Sequence, residues 1–226
     1  MTATSQNRTT ADPTSTKART FAFVDLAGFT ALTEAHGDEA AVAQVERFVE
    51  LTRQSIRARG RLVKCLGDAV MLCFESPGAC LEAVENLLDA CQRGEGLPLP
   101  RTGIHHGPAI ERDGDWFGAT VNLAARVAAQ AQGGQTLATS AIADVARAQA
   151  VPIVELGCFS LRNIAQPVEL FELELVPPTE AVSIDPVCRM QVHHGSAAGR
   201  LRHLDRDHWF CSFECVQAFT AAPEQY

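Results

Sequence analysis

Arg61-Leu62-Val63-Lys64-Cys65-Leu66-Gly67-Asp68-Ala69-Val70-Met71-Leu72-Cys73-Phe74 holds two apolar runs of strand length separated only by the pair Gly67-Asp68. Such a pair between two such runs predicts a β-hairpin with Asp68 at its tip and Lys64 on the incoming strand. An acid and a base therefore lie close together. Upstream, residues 19–26 contain Phe21-Ala22-Phe23-Val24, too short for a helix and suited to a buried central strand that closes on Asp25. Gly28 permits a tight turn in Ala27-Gly28-Phe29-Thr30. Over residues 38–59, Val42, Val45, Phe48, Val49 and Ile56 recur at helical spacing between an acidic start and Gly60. Downstream, Ser76-Pro77 supplies an N-cap and a first-turn proline. Cys80, Leu81, Val84, Leu87, Leu88 and Cys91 then form a second helical stripe, stopped by Gly94. Residues 97–105 and 108–112 read as two further strands joined at His106-Gly107. The order strand, helix, two strands, helix, strand is that of a ferredoxin-like βαββαβ unit, and an α+β sandwich is expected.

Beyond this unit lies Asp115-Trp116-Phe117-Gly118-Ala119-Thr120-Val121-Asn122-Leu123-Ala124-Ala125-Arg126, a turn bearing an acid followed by a helix to about Ala131. Asn122 and Arg126 are four apart and share a helix face. A glycine turn entering a helix also offers backbone N–H groups to an anion. Two uses of these residues stay open at this point: a nucleotide site built from a carboxylate, an amide and a guanidinium, or a turn former beside a solvated helix face. Next come Gly133-Gly134, a strand over 135–139, a short helix capped by Ser140 and running to about Ala148, and three strand-like runs near Pro152, near Phe159 and over 168–175.

The composition narrows the function classes. With 226 residues, 46% of them hydrophobic, the chain has room for one domain of about 150 to 180 residues and a small appendage. A net charge of −8 disfavours a nucleic acid or an anionic membrane as the main partner. No apolar run approaches the roughly 18 residues needed to span a bilayer. The first residues, rich in Thr, Ser and Ala, lack the apolar core of a secretory signal. Residues 1–18 are expected to be a disordered lead-in, and the protein cytoplasmic. In that reducing compartment the eight cysteines are expected as thiols or metal ligands.

Phe23-Val24-Asp25-Leu26-Ala27-Gly28-Phe29-Thr30, Lys64-Cys65-Leu66-Gly67-Asp68 and the stretch from Asp115 to Arg126 together resemble the class III nucleotidyl cyclase catalytic domain. The likeness covers residues 19–175 and includes Arg101-Thr102-Gly103-Ile104-His105-His106-Gly107 and Pro167-Val168-Glu169-Leu170-Phe171. It implies that Asp25 and Asp68 hold two Mg²⁺ or Mn²⁺ ions. Lys64 and Asp115 match the family's base-reading pair, and they suit adenine: Asp115 accepts from the exocyclic amine and Lys64 donates to N1. A salt bridge between the two without ligand is the plainer alternative. Asn122 matches the residue that orients the ribose, and Arg126 the one that stabilises charge on the α-phosphate. The family's site lies between two catalytic domains, so a chain with all six residues is expected to be a homodimer with two sites. The implied activity is adenylate cyclase, making cyclic AMP and pyrophosphate from ATP. The alternatives are a catalytically silent nucleotide-binding or metal-sensing protein, and guanylate cyclase. His105-His106 are expected to be structural.

Residues 176–184, with Pro177-Pro178, read as a linker. The last 42 residues then hold four of the seven histidines and three of the eight cysteines. Asp185-Pro186-Val187-Cys188-Arg189-Met190 and His208-Trp209-Phe210-Cys211-Ser212-Phe213-Glu214-Cys215 resemble a YHS domain, a small relative of the TRASH-type metal-binding folds. Many members of that family have Gly where this chain has Arg189. If Cys211 opens a helix, Cys215 shares its face. Cys188 would add a third thiolate, and such a set selects Zn²⁺ or Cu⁺. His193, His194, His203 and His208 are candidates for a fourth ligand; three buried thiols in a packing module are the alternative. Metal at this module would modulate the cyclase.

Overall fold

The computed structural model describes residues 16–226 apart from Glu95, Glu180 and the side chain of Ala58. In chain order the elements are β1 (Thr16–Leu26), α1 (Phe29–Ile56), β2 (Gly60–Leu66), β3 (Ala69–Phe74), α2 (Pro77–Arg93), β4 (Pro100–Arg112) and β5 (Asp115–Phe117). They continue with α3 (Ala119–Ala128), β6 (Thr136–Thr139), α4 (Ser140–Ala148), β7 (Ile153–Phe159) and β8 (Val168–Leu173). The tail adds β9 (Val182–Ile184), β10 (Gln191–His193), β11 (Gly199–His203), β12 (Arg206–Phe210) and α5 (Phe213–Ala221). The main sheet runs β2-β3-β1-β4-β6-β8-β7, with β5 paired to β4. Its first four strands and the two helices between them form the expected ferredoxin-like α+β unit.

Period-two alternation decides what each face of the sheet buries. Ala22, Val24 and Leu26 of β1 and Val70, Leu72 and Phe74 of β3 pack with Phe48, Leu81, Val84 and Ile142 from α1, α2 and α4. Phe21 of β1 and Met71 and Cys73 of β3 face the other way, onto Trp116, Val121 and Ala124, with Phe23 beside them. Trp116 meets Phe21 edge-on at 5.6 Å between ring centroids. Both faces of β1 are thus covered, as its continuous apolar run requires. Asp25 continues the Phe21-Phe23 face, on the side where α3 lies.

Several boundaries differ from expectation. Thr16 to Ala18, counted with the lead-in, belong to β1; the rest of that segment, residues 1–15, lies outside the described residues. Residues 97–105 and 108–112 contribute to one strand, β4, because His106 and Gly107 stay extended and pair with Thr20 and Arg19. Gly107 serves close approach: a Cβ there would lie 2.8 Å from Thr120 Oγ1. Helix α1 starts at Phe29, nine residues before the expected start, and is interrupted at Gly37, whose φ of 81° and ψ of 169° break the ladder. Ser140 is the first residue of α4 rather than its cap, Thr139 standing at the cap position. The runs near Pro152 and Phe159 belong to one strand, β7. Val182–Ile184, assigned to the linker on composition, pairs as β9 with β10.

Candidate functional site

Asp25 and Asp68 come together because β1 and β3 are antiparallel neighbours in which Asp25 sits opposite Ala69. The hairpin tip is pinned there, Leu26 N donating to Asp68 O at 3.3 Å. Burial, then the neighbouring Asp25 charge, push the Asp68 carboxyl above its ordinary value. Two carboxylates in one corner need positive charge, and Arg101, opposite Asp25 on β4, supplies it. Arg101 Nε donates to Asp25 Oδ2 at 2.6 Å, and a second guanidinium nitrogen pairs with the same oxygen. Arg101 was not singled out in the sequence as a site residue, although it lies within the Arg101 to Gly107 stretch.

Lys64 and Asp115 also meet, although 51 residues separate them: Lys64 Nζ donates to Asp115 Oδ2 at 2.6 Å. Asp115 Oδ1 accepts from the Trp116 N–H at 2.8 Å. The hydrogen bond from Lys64 holds the Asp115 carboxyl below its ordinary value. With side chains 38% and 31% exposed, the pair adds little to stability and remains open to a ligand. Buried Trp116, packed on Phe21 and Met71, lays the β4–β5 hairpin across the sheet and carries Asp115 to β2.

Asn122 and Arg126 lie on α3, Asn122 exposed and Arg126 half-buried. Thr120, Val121, Ala124 and Val127 form the buried side of this helix. Neither Asn122 nor Arg126 is placed against Asp25 or Asp68 by any hydrogen bond described within the chain. His105 Nδ1 pairs with Thr139 Oγ1 at 2.7 Å, and His106 Nδ1 with Thr20 Oγ1 at 2.9 Å. Burial lowers His105 to about 4, so it is neutral near pH 7 and serves the sheet.

The tail cysteines converge. Cys188 Sγ lies 3.4 Å from Cys211 Sγ, which lies 3.7 Å from Cys215 Sγ. Cys211 does not open the helix: Ser212 is the N-cap, its Oγ accepting from Cys215 N at 3.2 Å, and α5 starts at Phe213. The buried Asp185 carboxylate accepts from Val187 N and Cys188 N with Oδ1, and from Cys211 N with Oδ2 at 2.8 Å. It thereby fixes both cysteine loops. Hydrogen bonds from Cys188 and Cys211 hold the Cys215 thiol far below its ordinary value. Arg189 takes the left-handed φ of 67°, a conformation that costs glycine nothing and other residues about 1–2 kcal/mol.

The expected fourth ligands do not join the thiols. His194 stacks on Trp209 at 3.9 Å, while His203 and His208 pack on Phe219. His36 of α1 arrives instead, its Nε2 3.5 Å from Cys211 Sγ and 3.7 Å from Cys215 Sγ. Among the described residues, these four side chains are the grouping of metal-ligating atoms that falls within 4.8 Å. Nothing in the sequence marks His36, which precedes the expected helix by two residues.

Residues 12–174 match the family model of the adenylate and guanylate cyclase catalytic domain. A pH-sensitive adenylate cyclase of Mycobacterium tuberculosis is 34% identical over 158 residues, 68% of this chain and 40% of the relative. An adenylate cyclase of Streptomyces coelicolor is 38% identical over 123 residues, 54% of this chain and 32% of the relative. The chain thus spans less than half the length of these curated relatives. Among solved structures, an adenylate cyclase from Trypanosoma brucei in its monomeric state superposes with a TM-score of 0.65 at 25% identity. That superposition covers 76% of this chain and 94% of the other.

Proposed function

Since this chain belongs to the family of adenylate and guanylate cyclase catalytic domains, we propose that it converts ATP to 3′,5′-cyclic AMP and pyrophosphate at a site shared by two copies. The observation that carries this reading is the meeting of Asp25 and Asp68, drawn from two stretches, beside the Arg101 guanidinium. Their oxygens form a hard donor set that suits Mg²⁺ or Mn²⁺. When bound, such ions supply Lewis acidity toward the ribose 3′-hydroxyl and neutralise triphosphate charge.

In the balanced reaction the 3′-oxygen forms a bond to the α-phosphorus and loses its proton to solvent. The bond from that phosphorus to the α,β-bridging oxygen breaks, and the electron pair leaves with pyrophosphate. Arg126 stabilises the charge gathering on the α-phosphate oxygens, and Asn122 orients the ribose. The first N–H groups of α1, which have no partner within the helix and follow Asp25 closely in sequence, suit the phosphates. Lys64 and Asp115, already paired, exchange their mutual hydrogen bond for contacts to N1 and the exocyclic amine of adenine. Guanine presents an acceptor and a donor with the opposite sense and leaves both groups unmatched.

The exposed side chains of Leu66 and Phe117, close to Lys64 and Asp115 in sequence, support a face that a second copy covers. Residues 19–175 form the catalytic unit in this proposal, and residues 185–226 a YHS-like module joined by the linker. No helix among the described residues is long and apolar enough to cross a membrane. A cytoplasmic setting suits the free thiols.

Asp115→Ala tests the base assignment. It is expected to lower kcat/KM for ATP by about 10- to 100-fold, equivalent to about 1–3 kcal/mol for a lost buried hydrogen-bond partner. The slower GTP reaction is expected to change less, so the ATP:GTP ratio narrows. An unchanged ratio in steady-state assays with both nucleotides would remove Asp115 from base recognition.

A further inference from the structure

The thiol cluster is closed by a side chain from outside the tail. Cys188 and Cys215 are buried, Cys211 and His36 half-buried, and the four ligand atoms come from three separate parts of the chain. In a tetrahedral zinc site with Zn–S near 2.3 Å and Zn–N near 2.0 Å, ligand atoms are spaced by about 3.5 to 3.8 Å. The observed Cys188–Cys211, Cys211–Cys215, His36–Cys211 and His36–Cys215 spacings run from 3.4 to 3.7 Å. Four of the six edges of such a tetrahedron are thus near zinc spacing, and all four ligand atoms lie within 4.8 Å of one another. Asp185, holding the backbone of both cysteine loops, is a positioning residue for it.

His36 ends the first segment of α1, and Gly37 breaks the helix directly after it. That segment begins just after Gly28, three residues beyond Asp25. Its other end is also held by the tail: a Cβ on Gly28 would lie 2.6 Å from Cβ and Cγ of Arg189, the neighbour of Cys188. Ala35 packs against the tail core of Val187, Cys188, Phe210, Cys215 and Phe219. Residues 28–36 are therefore gripped by the tail at both ends.

We propose that His36, Cys188, Cys211 and Cys215 form a closed Cys₃His site for Zn²⁺ that latches the tail onto residues 28–36 and so fixes the segment following Asp25. The regulatory part rests on the cyclase reading above; the metal site does not. Bound metal restrains one end of an eight-residue helical piece, and the contact of Arg189 with Gly28 restrains the other. Losing the metal frees the tail from α1 and loosens the loop that leads from the catalytic acid.

The test uses the full chain, stripped of metal under reducing conditions and titrated with Zn²⁺ against a chromophoric chelator. Hydrogen exchange of residues 26–36 is followed in parallel. The wild type is expected to bind one Zn²⁺ per chain and to slow exchange in that segment at least tenfold. His36→Ala is expected to bind about 100-fold more weakly, since even outer-shell partners of a metal site are worth roughly 10- to 100-fold, and to lose the protection. His36→Cys, which restores a ligand, is expected to recover both, separating ligation from a packing role. Zn²⁺ is expected to raise cyclic AMP formation several-fold in the wild type and not in His36→Ala. Wild-type affinity and protection in His36→Ala, or no stoichiometric Zn²⁺ in the wild type, would overturn the latch. Zinc binding and protection with no cyclase activity under any condition would leave the latch standing and contradict the catalytic reading instead.

Discussion

Neither an Asp25→Ala chain nor an Arg126→Ala chain is expected to turn over ATP appreciably alone, whereas their equimolar mixture is expected to recover about a quarter of the wild-type rate. In the shared-site proposal, removing Arg126 takes away a preorganised donor where charge would develop, a change that typically lowers turnover by about 10²- to 10³-fold. Removing Asp25 takes one of two carboxylates from the corner proposed to hold the cations and leaves Arg101 without its partner. Each homodimer then has two defective sites. Random mixing puts half the dimers in the mixed form, where the intact acids of one chain face the intact Arg126 of the other at one of two sites. Differently tagged chains allow the heterodimer to be purified, so failure to assemble is separated from failure to complement. A verified heterodimer that stays inactive places Asp25 and Arg126 in the same chain's site and removes the shared-site proposal.

The second large effect concerns Gly103. A Cβ at this position would overlap the backbone N and Cα of Ala128 and lie 2.7 Å from its Cβ, so strand β4 and helix α3 touch through their backbones. Backbone cannot rotate away as a flexible side chain can. Gly103→Ala must push α3 off the sheet, and Arg126 lies two residues before the point of contact. Overpacking of a tight core costs about 1–3 kcal/mol and occasionally more; the upper end is expected here. For a chain of this size that corresponds to a melting temperature lower by about 6–12 °C. Cyclase activity is expected to fall further than the folded fraction does. Gly195→Ala is the matched control, because nothing lies within 4 Å of its added Cβ. Its expected effect is within about 0.5 kcal/mol. Thermal unfolding of both variants checks the contrast, and equal melting temperatures would contradict the close packing of α3 on β4.

The central strands were legible because both of their faces are filled, which makes each a short unbroken apolar run. Phe21, Phe23 and Asp25 fall on one side of β1, while Ala22, Val24 and Leu26 fall on the other. The hairpin at Gly67-Asp68 was legible for a similar reason: two apolar runs left only two residues to turn. What misled was glycine used for proximity. Gly107 resembles a turn in sequence, yet it lets Thr120 approach an unbroken strand. The early start of α1 was hidden by Gly37, which divides the helix and leaves its first segment too short for a periodic signal.

The site residues divide along the same line. Lys64, Asp115, Asp25 and Asp68 were picked out as candidates through the resemblance of their stretches to the cyclase family, and the sheet brings each pair together. Arg101 and His36 act across large sequence separations, with partners 76 and 175 residues away. No local period or spacing encodes such a meeting. For the tail, the sequence placed three thiols together but pointed to a fourth ligand within the tail, where His194 packs on Trp209 and His203 and His208 pack on Phe219. The tail core is small, and docking on α1 completes it.

The most direct measurement is cyclic nucleotide formation by the purified chain with ATP or GTP and with Mg²⁺ or Mn²⁺, beside an Asp25→Ala control. Cyclic AMP formed from ATP, far less product from GTP and none from the control is the expected result. A folded, dimeric chain that forms no cyclic nucleotide from either substrate would contradict the catalytic assignment.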